Sequence, residues 1–285
     1  MYFDCHNHSQ FSFDGARTTA EKSVVSALEK GLGGICFTDH CDFYVPPMKA
    51  DFEPLQKEEF DVRAQQEELD RLAARVAEGT LVKGASKKFR VLKGVEIGVQ
   101  ESCRAQIRDY FRTWQFDQVI ASLHYIDDAD PYWGDRYYRG KTWKEAYGHY
   151  LDVLFKELRF LGDDFDIMGH FDYVARYAPY PVESFLYRDF PAHFDEILRY
   201  LAENGKALEI NTKTYQRYGF RTPQLDRNIL LRYLELGGEL ITLGSDSHNP
   251  ERVGDKFQYY GQYVKSLGFR RLAYFERRKP RLVTI

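Results

Sequence analysis

Two histidines stand one residue apart at the end of the first apolar stretch, in the segment MYFDCHNHSQFSFDG. Residues 2–5 are typical of a strand, and alternate side chains of a strand point to one side, so His6 and His8 present two imidazoles to one place. Imidazole binds zinc, iron, manganese and copper, and Asp14 in the following turn adds a hard oxygen ligand. Alone, a His-x-His pair is more often an ordinary strand or surface feature. The remaining histidines decide between these interpretations.

Six of the eight histidines follow short apolar stretches, whereas chance would scatter them through helices and surface loops. The other two, His149 and His193, lie inside helical patterns and are interpreted as structural. Taken singly, the position of each of the six is explained by an ordinary imidazole in the core or on the surface with one hydrogen bond. The occurrence of all six together is not explained in this way. The strand-end residues that offer a nitrogen or oxygen ligand are His6, His8, Asp14, His40, Glu96, His124, His170, Asp246 and His248.

Nine such ligands are too many for one metal ion of four to six coordination. They suit two or three divalent ions that share a bridging carboxylate, and Glu96 is the candidate bridge. Cys41, beside His40, is a candidate soft ligand, but a buried reduced thiol is the favoured interpretation for it and for the other three cysteines.

Strand-like stretches alternate with helical patterns along the chain. Seven predicted strands cover residues 2–5, 34–38, 90–97, 118–123, 165–168, 207–210 and 239–243, and residues 272–275 suggest a peripheral strand. Capping boxes at Thr18/Glu21 and Thr142/Glu145 start two helices. Helical spacing predicts further helices over 58–78, 101–113, 190–204 and 224–236. The buried face of the helix after Thr142 is assigned to Trp143, Tyr147, Tyr150, Leu154 and Leu158.

This alternation implies parallel strands joined by right-handed crossovers, in either a barrel or an open doubly wound sheet. We favour the barrel, in which the active site lies at the C-terminal ends of the strands. With 285 residues and 44% hydrophobic content, and without linkers or repeats, residues 1–285 are expected to form one α/β domain.

A net charge of −3 offers no general attraction for a polyanion, so long nucleic acid is not an expected partner. The apolar runs are too short to cross a bilayer, and residue 1 leads into a strand without a signal-type segment, so we expect no membrane association and a cytoplasmic protein. The expected partner is a small molecule.

These residues resemble the polymerase and histidinol phosphatase (PHP) superfamily. The resemblance rests on motifs in the family's order, from the start of the chain to about residue 250: His6-x-His8, Asp14-Gly15, Thr38-Asp39-His40, Gly94-x-Glu96, Ser122-x-His124, Gly169-His170 and Gly244-Ser245-Asp246-x-His248. It implies a distorted (β/α)7 barrel with three divalent ions of zinc, manganese or iron. As a set the motifs are highly specific.

By the same resemblance, a first ion would be held by His6, His8, Glu96 and Asp246. A second would be held by Glu96, His124 and His170, and a third by Asp14, His40 and His248. Some members carry histidine where this chain has Asp14, and the carboxylate makes the third site harder, which favours manganese or iron.

The segments 122–127 and 169–177 are most similar to the histidinol-phosphate phosphatase branch. This implies metal-dependent hydrolysis of L-histidinol phosphate by in-line attack of water on phosphorus. Arg176 is the candidate phosphate clamp, with a surface ion pair as the alternative; Asp246 or His248 would assist the leaving alkoxide. Tyr125 and Asp127 are candidate substrate contacts. The alternative is that their loop is an ordinary exposed loop. Glu209, Asn211 and Asp39 are expected to line the mouth or to orient ligands.

Two other functions remain open at this point. The first is hydrolysis of another phosphoester, such as a nucleotide, a short oligonucleotide or phosphotyrosine. The second is a metal-binding module without activity, against which stands the fact that every ligand position is filled.

Overall fold

Seven parallel strands form the wall of a nearly closed barrel in the computed structural model, which describes residues 1–15, 17–46, 59–181, 184–216 and 222–285. The strands of this sheet are β1 Phe3–Asn7, β2 Gly34–Phe37, β3 His40–Cys41, β4 Arg90–Gly98, β5 Gln118–Ser122, β6 Ile167–Met168, β7 Ala207–Asn211 and β8 Ile241–Gly244. The sheet order is β1-β2-β4-β5-β6-β7-β8, and the short strand β3 pairs with β4. The barrel prediction is confirmed.

The first and last strands meet at a seam with few ladder bonds. Asn7 and Ser247 form a single parallel bridge. The backbone N–H of His8 donates to the Ser247 carbonyl at 2.9 Å, and that of Asp246 donates to the His6 carbonyl at 2.8 Å. The seam therefore joins the two segments that carry His8 and Asp246.

Helices cover the outside of the barrel and bury their apolar faces against it. They are α1 Ala20–Glu29, α2 Val62–Glu78, α3 Arg104–Thr113, α4 Asp135–Tyr138, α5 Trp143–Leu161, α6 Tyr173–Tyr177, α7 Pro191–Glu203, α8 Arg227–Glu235 and α9 Phe257–Ser266. On the predicted face of α5, Tyr147, Tyr150, Leu154 and Leu158 are fully buried, and Trp143 packs at its edge. No helix in the described ranges is long and apolar enough to cross a membrane.

The helix starts confirm one capping prediction and correct another. The Thr142/Glu145 capping box is present at the start of α5. The box at Thr18 is wrong by one residue, because Thr19 caps α1 by accepting from the Lys22 N–H, while the Thr18 hydroxyl bonds Ser23. The predicted start at residue 58 lies outside the described residues, and α2 begins at Val62.

A hairpin of β9 (Arg271–Glu276) and β10 (Lys279–Thr284) closes the N-terminal end of the barrel. The Tyr274 ring stacks on Phe3 with ring centroids 3.8 Å apart, and the Cys5 thiol donates to the Ala273 carbonyl. In the turn of the hairpin, Arg278 Nε donates to Asp166 Oδ2 at 2.5 Å. The predicted peripheral strand is therefore one half of a plug under the barrel.

We expect Arg278→Ala to lower the free energy of unfolding by about 2 kcal/mol near neutral pH, since the buried Asp166 loses its cationic partner. Burial raises the pKa of Asp166, and the guanidinium opposes that rise. Without Arg278 the folded carboxyl keeps a proton that the unfolded chain releases, so stability falls as pH rises through the ordinary aspartate range. The deficit should therefore shrink towards about pH 4.

Urea unfolding of wild type and variant across this pH range checks the prediction. Arg277→Ala is the matched control, because Arg277 is exposed in the same turn and has the same left-handed backbone. An Arg278→Ala deficit that does not change with pH, or that Arg277→Ala reproduces, would contradict the role given to the ion pair.

Candidate metal centre

The C-terminal ends of the barrel strands bring all nine predicted ligands into one cluster. His6 lies in β1 and Glu96 in β4, while the other ligands follow strands or belong to the short strand β3. Glu96 has no solvent exposure, and His6 and His8 are equally buried. The ligand atoms lie within 4.8 Å of one another in each of three groups: His8, Asp14, His40 and His248; His6, His8 and Glu96; His40, Glu96 and His124.

Glu96 is the centre of the cluster, and its two carboxylate oxygens face different imidazoles. Around Oε2 lie three ring nitrogens, His40 Nδ1 at 3.1 Å, His6 Nε2 at 3.2 Å and His8 Nε2 at 3.4 Å. Around Oε1 lie His170 Nε2 at 2.8 Å and His124 Nε2 at 3.2 Å, and the Ser122 hydroxyl donates to it. This is the arrangement expected of a carboxylate shared between ions.

A second carboxylate, that of Asp14, occupies the outer part of the cluster. Its Oδ2 lies 2.6 Å from His248 Nε2 and 3.6 Å from His40 Nε2. Asp246 Oδ1 lies 3.4 Å from His8 Nε2, and its backbone adopts the left-handed region with φ of 48°. Aspartate tolerates that conformation better than most residues, and here it accompanies a sharp turn immediately after β8.

The chemistry of these donors fits divalent cations. Glu96 Oε2 is buried and accepts no hydrogen bond from the described part of the chain. The Nδ1 of His6 lies 2.7 Å from Glu209 Oε1, which favours the proton on Nδ1 and leaves the Nε2 lone pair aimed at Glu96. An imidazole nitrogen that faces a buried carboxylate oxygen needs a cation between the two atoms, either a proton or a metal ion.

Charges within the cluster favour the ligand forms of Glu96 and His8. Burial raises the pKa of Glu96, but positive charge on the imidazoles of His6 and His40 outweighs it and holds that pKa well below its usual range. Burial, together with the neighbouring His248 and His40, holds the pKa of His8 well below its usual range. Glu96 is thus ionised and His8 neutral, which are the forms that bind a metal ion. The pKa values of His6, His40 and His124 are raised because the neighbouring carboxylates outweigh burial, so a metal ion bound by these rings would displace protons.

Several buried groups orient these ligands from behind. Glu209 bonds His6 Nδ1 and accepts the His170 backbone N–H at 2.7 Å. Asp42, which sequence reasoning missed, lies 3.2 Å from His124 Nδ1. Its approach requires Gly98, where a Cβ would lie 1.6 Å from Asp42 Oδ1. Asp39 contacts no ligand side chain through a hydrogen bond but accepts from the Ser9 backbone and hydroxyl, and so positions the loop after β1.

A cavity of about 620 Å³ opens above the cluster. Arg176 lines it and is itself buried: one guanidinium nitrogen donates to Thr214 Oγ1 at 2.7 Å, and the other lies 3.4 Å from Asp246 Oδ2. Lys213, a second cation that sequence reasoning missed, lies 2.9 Å from Asp246 Oδ1. Its position two residues after Asn211, the last residue of β7, was the available signal.

The two other predicted substrate residues have different places. Tyr125 lines the cavity. The described residues that line the cavity do not include Asp127, whose carboxylate is half-exposed and lies 2.9 Å from His149 Nε2. Asp130, three residues further along the same loop, supplies the carboxylate in the wall. His149 and His193 lie outside the cluster, as expected, with His193 beside Asp152.

The parallel barrel, with imidazoles and carboxylates gathered at the C-terminal ends of its strands, places this chain among barrel proteins with a metal-binding cluster at the barrel mouth. Within this class the chain belongs to the PHP domain family, whose model matches residues 4–213.

The sequences of several relatives align with nearly the whole of this chain. The histidinol-phosphatase of Lactococcus lactis subsp. lactis strain IL1403 is 35% identical, covering 95% of this chain and 93% of the relative. A probable histidinol-phosphatase of Clostridium acetobutylicum is 29% identical, covering 90% and 91%. The crystal structure of the Lactococcus lactis histidinol phosphate phosphatase, in complex with zinc, L-histidinol and phosphate, has a TM-score of 0.82 and 34% identity, covering 98% of both chains.

Proposed function

We propose that this chain is a metal-dependent phosphatase that hydrolyses L-histidinol phosphate to L-histidinol and phosphate, a step of histidine biosynthesis. The observation that carries the proposal is the ligand cluster under a cavity of about 620 Å³, a volume suited to a small molecule. The Lactococcus lactis enzyme, which has the same fold along its whole length, holds zinc, L-histidinol and phosphate.

We assign to the cluster three divalent ions of zinc, manganese or iron, with the ligand sets that the family resemblance implies; the three overlapping groups of ligand atoms support this number. Glu96, with imidazoles at both oxygens, would bridge the first and second ions. Asp14, His40 and His248 would hold the third, with Asp14 Oδ2 beside both rings. When bound, such ions polarise phosphoryl oxygens and lower the pKa of water for attack.

The protein's own groups bind and orient the phosphoryl group. Arg176 is held in place by Thr214, so its planar donors are preorganised for two phosphate oxygens. Lys213 adds a second positive charge to the cavity wall, beside Asp246, and would stabilise the negative charge that grows on the equatorial oxygens during transfer. We assign protonation or stabilisation of the leaving alkoxide to Asp246 or His248, which both line the cavity.

Phosphate release from L-histidinol phosphate tests the proposal, measured beside a nucleoside monophosphate and an aryl phosphate, with and without chelator. We expect fast release from L-histidinol phosphate only, abolished by chelator and restored by zinc, manganese or iron. Metal analysis of the purified protein gives the number of ions. Faster hydrolysis of another ester would indicate a different phosphoesterase activity. No hydrolysis of any ester would indicate a binding module.

A further inference from the structure

One carboxylate in the cavity wall is not used by the proposed metal sites or by the phosphate contacts. Asp130 precedes the turn Pro131–Trp133, and its Oδ1 accepts hydrogen bonds from the Tyr132 N–H at 2.8 Å and the Tyr173 hydroxyl at 2.9 Å. The described residues donate no hydrogen bond to Oδ2, and the residue is only partly buried where it lines the cavity. One oxygen is therefore fixed, and the other is available to a ligand.

Asp130 differs in its charge environment from the other acids of the cavity. Asp14 lies against two imidazoles, and Asp246 lies against Arg176 and Lys213. Within the described ranges, no lysine, arginine or histidine forms an ion pair with Asp130. Burial raises the pKa of Asp130 to about 6, so the group is mainly charged at neutral pH. A negative charge that no basic side chain of the described residues contacts as an ion pair, placed in a binding cavity, is complementary to a cationic ligand group.

The Tyr173 side chain connects Asp130 to the metal cluster. The Tyr173 ring, which holds Asp130, lies 5.1 Å from the His170 ring and 5.8 Å from the His124 ring, centroid to centroid. Asp130 is therefore one side chain removed from two proposed ligands. In L-histidinol phosphate the amine stands on the carbon next to the one that bears the ester oxygen. A phosphoryl group over the cluster would therefore leave the amine inside the cavity that Asp130 lines.

Of the amine and the imidazole of the substrate, the amine is the one that is positively charged at neutral pH. A primary ammonium with an ordinary amine pKa is protonated at neutral pH, whereas an imidazole with a pKa of about 6.5 is mostly neutral. The ammonium has three donors and matches a carboxylate whose second oxygen is free to accept.

We infer that Asp130 binds the primary ammonium group of the substrate and thereby selects phosphate esters of amino alcohols over plain phosphate monoesters. The inference rests on the proposed function and names the residue that gives it specificity. Asp130 acts on binding and on the placement of the ester, and it takes no part in bond breaking.

The test compares L-histidinol phosphate with its des-amino analogue, in which hydrogen replaces the amine, in wild type and Asp130→Asn. We expect kcat/KM for L-histidinol phosphate to fall about 10- to 100-fold, mainly through KM, because a charged hydrogen bond becomes a neutral one. Activity on the des-amino analogue should stay within about threefold. Inhibition by L-histidinol should weaken with the variant, and inhibition by inorganic phosphate should not.

Asp128→Asn is the matched control. Asp128 lies in the same loop, has a left-handed backbone with φ of 55°, and bonds the Tyr44 hydroxyl away from the cavity. Equal losses on both substrates in Asp130→Asn would mean that the residue only supports Tyr173, and no loss would mean that the amine binds elsewhere; either result overturns the inference. A wild-type protein that hydrolyses the aryl phosphate but not L-histidinol phosphate would instead overturn the proposed function.

Discussion

Glu96→Gln is expected to lose phosphatase activity by about three orders of magnitude or more and to retain less metal than the wild type. Glutamine keeps the shape of the side chain and can still accept from the Ser122 hydroxyl. It removes the negative charge of the carboxylate, whose two oxygens lie 2.8 to 3.4 Å from five imidazole nitrogens. A neutral amide is a weak ligand for zinc, manganese or iron, and cannot bridge two ions in the same way.

Metal content by elemental analysis and phosphate release measured on the same preparation check this expectation. Glu157→Gln is the matched control, because Glu157 is also a buried carboxylate but lies on α5 and does not line the cavity. A Glu96→Gln protein with the full metal content and wild-type turnover would contradict the assignment of Glu96 as the bridge.

Arg176→Lys is expected to reduce kcat/KM by about 100-fold or more, although the positive charge is kept. The guanidinium is anchored by Thr214 and faces the cavity with a planar set of donors. Lysine offers a point charge on a flexible stem, so it cannot hold two phosphate oxygens in a fixed geometry. Inhibition by inorganic phosphate should weaken in parallel, while metal content should not change.

Steady-state kinetics with phosphate as inhibitor measure both effects. Arg104→Lys is the matched control, because it makes the same chemical change on α3, at a residue that does not line the cavity. If Arg176→Lys lowered the metal content and left phosphate inhibition intact, Arg176 would be a support for Asp246 and not a phosphate clamp.

The fold was predictable because each barrel strand is a short apolar stretch between helix signals. Strands 118–123 and 207–210, for example, match Gln118–Ser122 and Ala207–Asn211 within a residue. The two-residue strand His40–Cys41 was not predictable, since it exists only through pairing with Glu96 and Ile97. The strand Lys279–Thr284 carries a proline and is almost wholly exposed, so neither composition nor alternation of apolar residues marks it.

The ligand cluster was predictable because histidines at strand ends are unusual and because they match a family pattern. Asp42 and Lys213 escaped notice because their roles depend on side-chain reach across the mouth, to His124 and Asp246. In the loop after His124, three aspartates share the same local composition. Only the three-dimensional path of the loop separates Asp127, which pairs with His149, from Asp130 in the cavity wall.

The seam between β1 and β8 gives the order in which the site can be completed during synthesis. His6 and His8 precede Asp246 and His248 by 240 residues, so they are made well before them. The bonds of His8 to Ser247 and of Asp246 to His6 form only when both segments are present. Contacts so distant in sequence form late in folding. A nascent chain that ends before residue 246 therefore cannot assemble the whole cluster, and binding of metal by all nine proposed ligands would follow the synthesis of this segment.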